Sequence, residues 1–332
     1  MKFELVNLLV CPECGNALNV SDQSEQKNGE PWEGKLGCAK GHSFIVTGGI
    51  PRFVGADNYA SNFGFQWNKF RQTQLDSYSG LKISTNRFWE QSGWSKQNLS
   101  GATVLDVGCG AGRFSEIALD AGARVVSLDY SSAVDACYEN NQRFRSRHAV
   151  VQGDIYKLPF KLESFDYVYC FGVLQHTPDV KAAFLALPKM VKPGGALAVD
   201  VYRKHWGNIF EAKYWLRPIT TRIGEERLFS LIEKWVPTLL SLSDFMCRMP
   251  GGRYLRRLVP VANYRGLFPL SEVQLREWAI LDTYDWFGPR FDQPQTAEAI
   301  QGWFEGSGLK DIEVLHPAHL TIRGRKPLAG EN

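Results

Sequence analysis

The chain has 332 residues, 44% of them hydrophobic and 22% charged, with a formal net charge of +3. That length allows about two domains of ordinary size, and the composition excludes a disordered or fibrous chain. No stretch approaches the roughly 20 apolar residues that span a bilayer, and Glu4 and Asn7 interrupt the short apolar run at the start, so neither a membrane anchor nor a secretory leader is expected.

Residues 1–55 read as a compositional unit, a zinc-ribbon-like module. Cys11-Pro-Glu-Cys14 is a Cys-x2-Cys knuckle, and Cys38-Ala-Lys-Gly-His42 supplies a second pair. Three thiolates and an imidazole make a closed tetrahedral set, which zinc prefers and which leaves no open catalytic position. So small a module has little core of its own, which favours a structural metal. The other four cysteines, Cys109, Cys137, Cys170 and Cys247, stand singly. A secreted disulfide framework would be spaced differently, so a reducing cytoplasm is expected. Residues 56–100, rich in aromatics and amides, read as a helical lead-in.

From residue 101 short apolar runs alternate with helical stretches. TVLDVGCG, RVVSLDYS, FDYVYCFGVL and ALAVDVY read as buried strands, with GRFSEIALDAG and SAVDACYENNQRF as helices between them. Such alternation implies a doubly wound, mostly parallel α/β sheet. It breaks off after Tyr202 and resumes with the helix TAEAIQGWFEGSG and the strands DIEVL and LTIRG. The core is therefore expected over 101–202 and 294–326, and a helical cap insertion over 203–293. The cap's stretch EERLFSLIEKWVPTLLSLSDFMCRM is expected to break at Pro237 and Pro250.

The segment Val104-Leu-Asp-Val-Gly-Cys-Gly-Ala-Gly-Arg-Phe114 is an apolar strand running through Gly-x-Gly-x-Gly into a helix. Glycines let the backbone turn sharply and approach a ligand, and the helix N-terminus offers free N–H groups. A dinucleotide fingerprint would need glycine where Arg113 stands, and no P-loop Gly-Lys-Ser/Thr is present. Asp129, closing the next strand, can accept both hydroxyls of a ribose.

These features resemble those of class I S-adenosylmethionine-dependent methyltransferases. Asp106–Gly112 resembles their first motif, Asp129 their ribose-binding acid, Gly153-Asp154-Ile155 their adenine-contacting element, and Leu187–Gly195 the turn before their fifth strand. The resemblance implies a Rossmann-like sheet of seven strands. It also implies that Asp106, Gly108, Gly110 and Gly112 hold the methionine part of the cofactor, Asp129 the ribose, and Asp154 with Ile155 the adenine. The N-terminal ligand pattern resembles the finger of bacterial 23S rRNA guanine methyltransferases and the small zinc-ribbon proteins that partner methyltransferases.

Phe171 and the loop Gly172-Val-Leu-Gln-His-Thr-Pro178 follow the fourth strand, whose C-terminal end faces the ligand crevice of an open α/β sheet. Phe171 is expected beside the cofactor. His176 is a candidate general base, with a pKa suited to neutral pH, or else a residue that orders the loop before Pro178. Residues 203–266 carry twelve Lys/Arg against five acids, a net +7 that leaves −4 for the rest of the chain. Trp206, Phe210, Tyr214, Trp215, Phe229 and Trp235 are interleaved. Such a cap suits a small-molecule or lipid-linked acceptor, or peripheral contact with a membrane. It also suits RNA, held through phosphates and stacked bases as in an rRNA or tRNA methyltransferase. A non-catalytic scaffold that binds S-adenosylmethionine is the remaining alternative.

Overall fold

The runs TVLDV, RVVSLD and FDYVYCF are short, continuously apolar and rich in β-branched and aromatic residues, so they form strands buried in the middle of a sheet. The structure is a computed structural model that describes residues 3–21, 24–55, 58–207, 211–315 and 319–331. Its N-terminal part holds α1 (Phe3–Val6) and the strands β1 (Leu18–Val20), β2 (Glu25–Lys27), β3 (Glu30–Cys38), β4 (Ser43–Thr47) and β5 (Ile50–Arg52). The helices α2 (Ser61–Lys69), α3 (Asp76–Ser79), α4 (Ile83–Ser92) and α5 (Lys96–Leu99) lead into the alternating core. That core runs β6 (Thr103–Val107), α6 (Arg113–Asp120), β7 (Arg124–Asp129), α7 (Ala133–Asn140), β8 (His148–Gln152), β9 (Phe165–Phe171), α8 (Val180–Ala186) and β10 (Val191–Val201). The cap comprises α9 (Ala212–Thr220), α10 (Glu225–Cys247), α11 (Gly252–Leu255) and α12 (Glu272–Phe287). The chain closes with α13 (Ala297–Gly306), β11 (Lys310–Leu315) and β12 (Leu320–Arg325).

The strands β8-β7-β6-β9-β10 are parallel, and β12 inserts antiparallel between β10 and β11. This is the expected seven-stranded arrangement, and its order reverses between β6 and β9, where open α/β sheets bind ligands. The sheet does not stop there. Arg52 of β5 pairs with Gln152 of β8, so β1, β3, β4 and β5 continue the same sheet. The guanidinium of Arg52 donates to Gln152 (2.8 Å) and forms an ion pair with Asp135 (2.6 Å). Leu9, Leu18 and Leu36 share one apolar cluster with Phe160, Val168 and Leu187. The N-terminal module is thus built onto the core.

The cap departs from expectation at Pro237. α10 continues through it and ends only at Cys247. A proline inside a helix costs about 3 kcal/mol. Against that, Leu228, Phe229, Ile232, Val236 and Leu240 are buried on α12 from both sides of the proline, each contributing about 1.5–3 kcal/mol. Burial wins. Phe210, named above among the cap aromatics, lies outside the described residues.

Candidate active site

A cavity of about 410 Å³ opens at the C-terminal ends of β6, β7 and β9, roofed by α2 and the cap. Its size falls within the range of about 300–1,000 Å³ usual for small-molecule sites. On one side lies the glycine loop after β6. Gly108 has φ +81°, and a Cβ there would come within 2.2 Å of the Val173 side chain. Gly110 (φ +51°) faces the indole of Trp67, which a Cβ would meet at 3.2 Å. Neither position accepts a side chain without displacing the cavity wall.

Asp129, at the end of β7, lines the cavity and holds the loop. Its Oδ2 accepts from the Gly110 N–H (2.9 Å), and its Oδ1 from the N–H and hydroxyl of Ser131 (2.8 and 2.7 Å). Burial pushes this carboxyl above its ordinary value, and the bonds from Ser131 and Gly110 oppose the shift. Tyr130 stacks on Tyr59 at 4.8 Å between ring centroids, and both line the cavity with Ile155 and Phe171.

Three of the expected cofactor residues stand back from this space. Asp106 is 2% exposed, with its carboxylate turned into the core, where it accepts from the Ser115 hydroxyl (2.6 Å). Burial raises it to about 7 despite that bond. Gly112 caps the N-terminus of α6 and offers its carbonyl to Asn141 (3.2 Å). Asp154 caps a short helical turn by accepting from the Tyr156 N–H (2.9 Å), while its neighbours Gly153 and Ile155 reach the cavity.

His176 lines the opposite wall and is 5% exposed. Its Nδ1 lies 3.0 Å from the carbonyl oxygen of Phe291. A carbonyl only accepts, so Nδ1 carries a proton, and it is Nε2 that is left to act as an acceptor. Tyr202 meets the ring edge-on at 5.4 Å and Phe63 packs on it at 5.2 Å. Beyond His176 the core and the cap together contribute polar groups. Tyr202 donates to Asp285 (3.0 Å) and Tyr264 to Asp282 (2.5 Å), with Lys213, Trp286 and His319 beside them. Burial lifts Asp282 to about 6, opposed by the Tyr264 bond. Burial and the nearby Arg87 charge drop His319 to about 4.

Residues 105–199 match the family described as "Methyltransferase domain". Residues 105–199 are thus similar to a methyltransferase domain. The relatives of this domain include the ubiquinone biosynthesis O-methyltransferase of Xanthomonas campestris pv. campestris (strain B100), 33% identical over 160 residues, which is 41% of this chain and 64% of that one. The protein of the same name from Xanthomonas euvesicatoria pv. vesicatoria (strain 85-10) is 32% identical over 167 residues, 43% of this chain and 66% of that one. The matched region thus spans just under two thirds of these relatives. A magnesium protoporphyrin IX methyltransferase from Synechocystis PCC 6803, solved with bound SAH, overlaps loosely: 16% identity, 81% of this chain, 96% of that one, TM-score 0.45.

Several residues around the methyltransferase domain were not singled out by the sequence. Asp200, at the end of β10, accepts from Arg87 (2.5 Å) and Gln91 (2.8 Å) of α4 and from the Gly172 N–H, tying the lead-in helices to the site. Burial would raise Asp200, but Arg87 and His319 hold it below its ordinary value. Trp67, Tyr59 and Asp285 come from segments whose only sequence signal is their aromatic content. Away from the cavity, Cys11, Cys14, Cys38 and His42 do converge. Their donor atoms all lie within 4.8 Å of one another. The sulfurs of Cys11 and Cys38 are each 3.4 Å from His42 Nδ1, and Cys14 lies 3.7 Å from Cys38. Sulfur ligands at about 2.3 Å around a tetrahedral zinc stand about 3.8 Å apart, so the set fits that ion.

Proposed function

We propose that this protein transfers the methyl group of S-adenosylmethionine to a hydroxyl oxygen of a small-molecule acceptor. The observation that carries the reading is one cavity bordered by the Gly108–Gly110 loop, the Asp129 carboxylate and the His176 imidazole. The O-methyltransferase relatives support the oxygen acceptor. When bound, the cofactor supplies an electrophilic methyl group. Asp129 would accept from the ribose hydroxyls, Tyr130 and Ile155 would border the adenine, and the glycine loop would hold the methionine part. His176 Nε2 would take the acceptor's hydroxyl proton as that oxygen receives the methyl group, with the sulfur's electron pair left on the departing thioether. The Cys11, Cys14, Cys38 and His42 set holds a structural zinc, and the other four cysteines, all unpaired thiols, suit a reducing cytoplasm.

Isothermal titration with SAH and a labelled-methyl assay on catechols and phenols test this reading. Asp129→Ala should weaken SAH by about 1.5–3 kcal/mol, the worth of a charged hydrogen-bonding group. His176→Gln should leave SAH affinity unchanged and lower kcat by about 10²–10⁴-fold. Tighter binding of NAD than of SAH would sink the cofactor assignment. SAH binding without transfer to any acceptor would leave a scaffold instead.

A further inference from the structure

Helix α10 carries more apolar surface than the cap buries. Beside the face packed on α12, Leu231, Trp235, Leu242 and Phe245 fall within about 80° of one another at the helical repeat. They are 40%, 52%, 42% and 62% exposed. On the same repeat Arg227 and Lys234 lie along the outer margin of this stripe, while Glu226 and Glu233 fall roughly opposite. The Lys234 ammonium sits 5.9 Å from the Trp235 ring centroid. Neither Arg227 nor Lys234 forms an ion pair among the described residues, and the same is true of Arg222, Arg248, Arg256 and Arg257. On α9, Trp215 and Ile219 are also exposed, at 58% and 63%.

We propose that this second stripe of α10 docks on an anionic phospholipid surface. An apolar stripe with aromatic members, flanked by cations and with its acids turned away, is the pattern of a helix lying in a membrane interface. The charge of the whole molecule agrees. The stretch holding α9–α11 carries a net +7 on a chain whose remainder is −4, so a negatively charged surface draws the cap first. A second copy fits less well, because pairing two such stripes brings two basic margins together with no acid to meet them. RNA would engage the cations but leave Leu231 and Leu242 facing water. The same cap contains a second chamber of about 260 Å³, lined by Arg256 and Arg257, which shares Glu211, Lys213, Tyr264 and Trp286 with the reaction cavity. An amphipathic molecule leaving the lipid surface thus has a second compartment beside the cavity.

The test is co-sedimentation of the full-length protein with vesicles of phosphatidylethanolamine and phosphatidylglycerol, compared with phosphatidylcholine alone. SAH titration runs on every variant. The wild-type protein should bind the anionic vesicles and not the neutral ones. Trp235→Ser with Phe245→Ser should lower the bound fraction roughly tenfold or more, with SAH affinity unchanged. Arg227→Gln with Lys234→Gln should do the same and carries the test if the first pair does not fold. Three results overturn the proposal: equal binding to both vesicle types, binding that survives both variant pairs, or no vesicle binding. In the last case, a dimer made monomeric by the Trp235 and Phe245 changes would assign the stripe to a second copy. RNA retention lost on the Arg227 and Lys234 changes would assign it to RNA.

Discussion

Asp106 is held where a carboxylate is costly, and this makes its ionisation a measurable part of the fold. Its pKa in the native state is about 7 because burial disfavours the charge, against about 3.9 in an unfolded chain. Between those values the native state binds the extra proton, so its contribution to stability declines as pH rises from about 4 to about 7 and is constant above. Asp106→Asn removes this slope. The Tm of the variant minus that of the wild type should therefore shift in the variant's favour as pH rises from 4 to 8, and a pH-independent difference would refute the assignment. The same residue marks the limit of what the sequence disclosed. Gly108, Gly110 and Asp129 were legible because a tight turn and a strand-end carboxylate leave a local spacing. Asp106 carries the same spacing, but β6 is buried on both faces, so alternation does not say which side chain turns toward the crevice. Arg87, Gln91 and Asp200 meet across more than a hundred residues, and no local pattern records such a meeting.

At the scale of elements, the alternation of buried strands and amphipathic helices predicted β6, β7, β9 and β10 with their intervening helices, since periodicity reflects which faces are covered. α10 was misjudged at Pro237 because a proline's local cost is visible in sequence, while the apolar partner that outweighs it, α12, arrives from 35 or more residues later. The metal knuckles are the opposite case: β3 ends at Cys38 and β4 begins at Ser43, so the turn between them delivers Cys38 and His42 together. Metal analysis of the purified protein should find zinc in stoichiometric amount. Cys14→Ser with His42→Ala should abolish it and lower the Tm, since the remaining two ligands do not complete a tetrahedron. Zinc retained at full stoichiometry in that double variant rules out this ligand set.

At the scale of the whole molecule, the pairing of β5 with β8 decides how the parts depend on one another. Arg52 bridges Gln152 and Asp135, Val10 donates to the Pro159 carbonyl (3.0 Å), and Lys161 donates to that of Leu8 (2.9 Å). The N-terminal module therefore covers the end of the core strand β8 at Gln152 and, separately, the segment around Phe160. Without residues 1–55, the strand end at Gln152 would lose its partner and the buried Phe160 would be bared. Open strand edges of this kind recruit other chains. A chain beginning at residue 56 should self-associate in a concentration-dependent way under light scattering, even where it still binds SAH, and a monodisperse monomer would contradict this. The module is then a sheath for the sheet, and a metal held by Cys11, Cys14, Cys38 and His42 would protect solubility as much as shape.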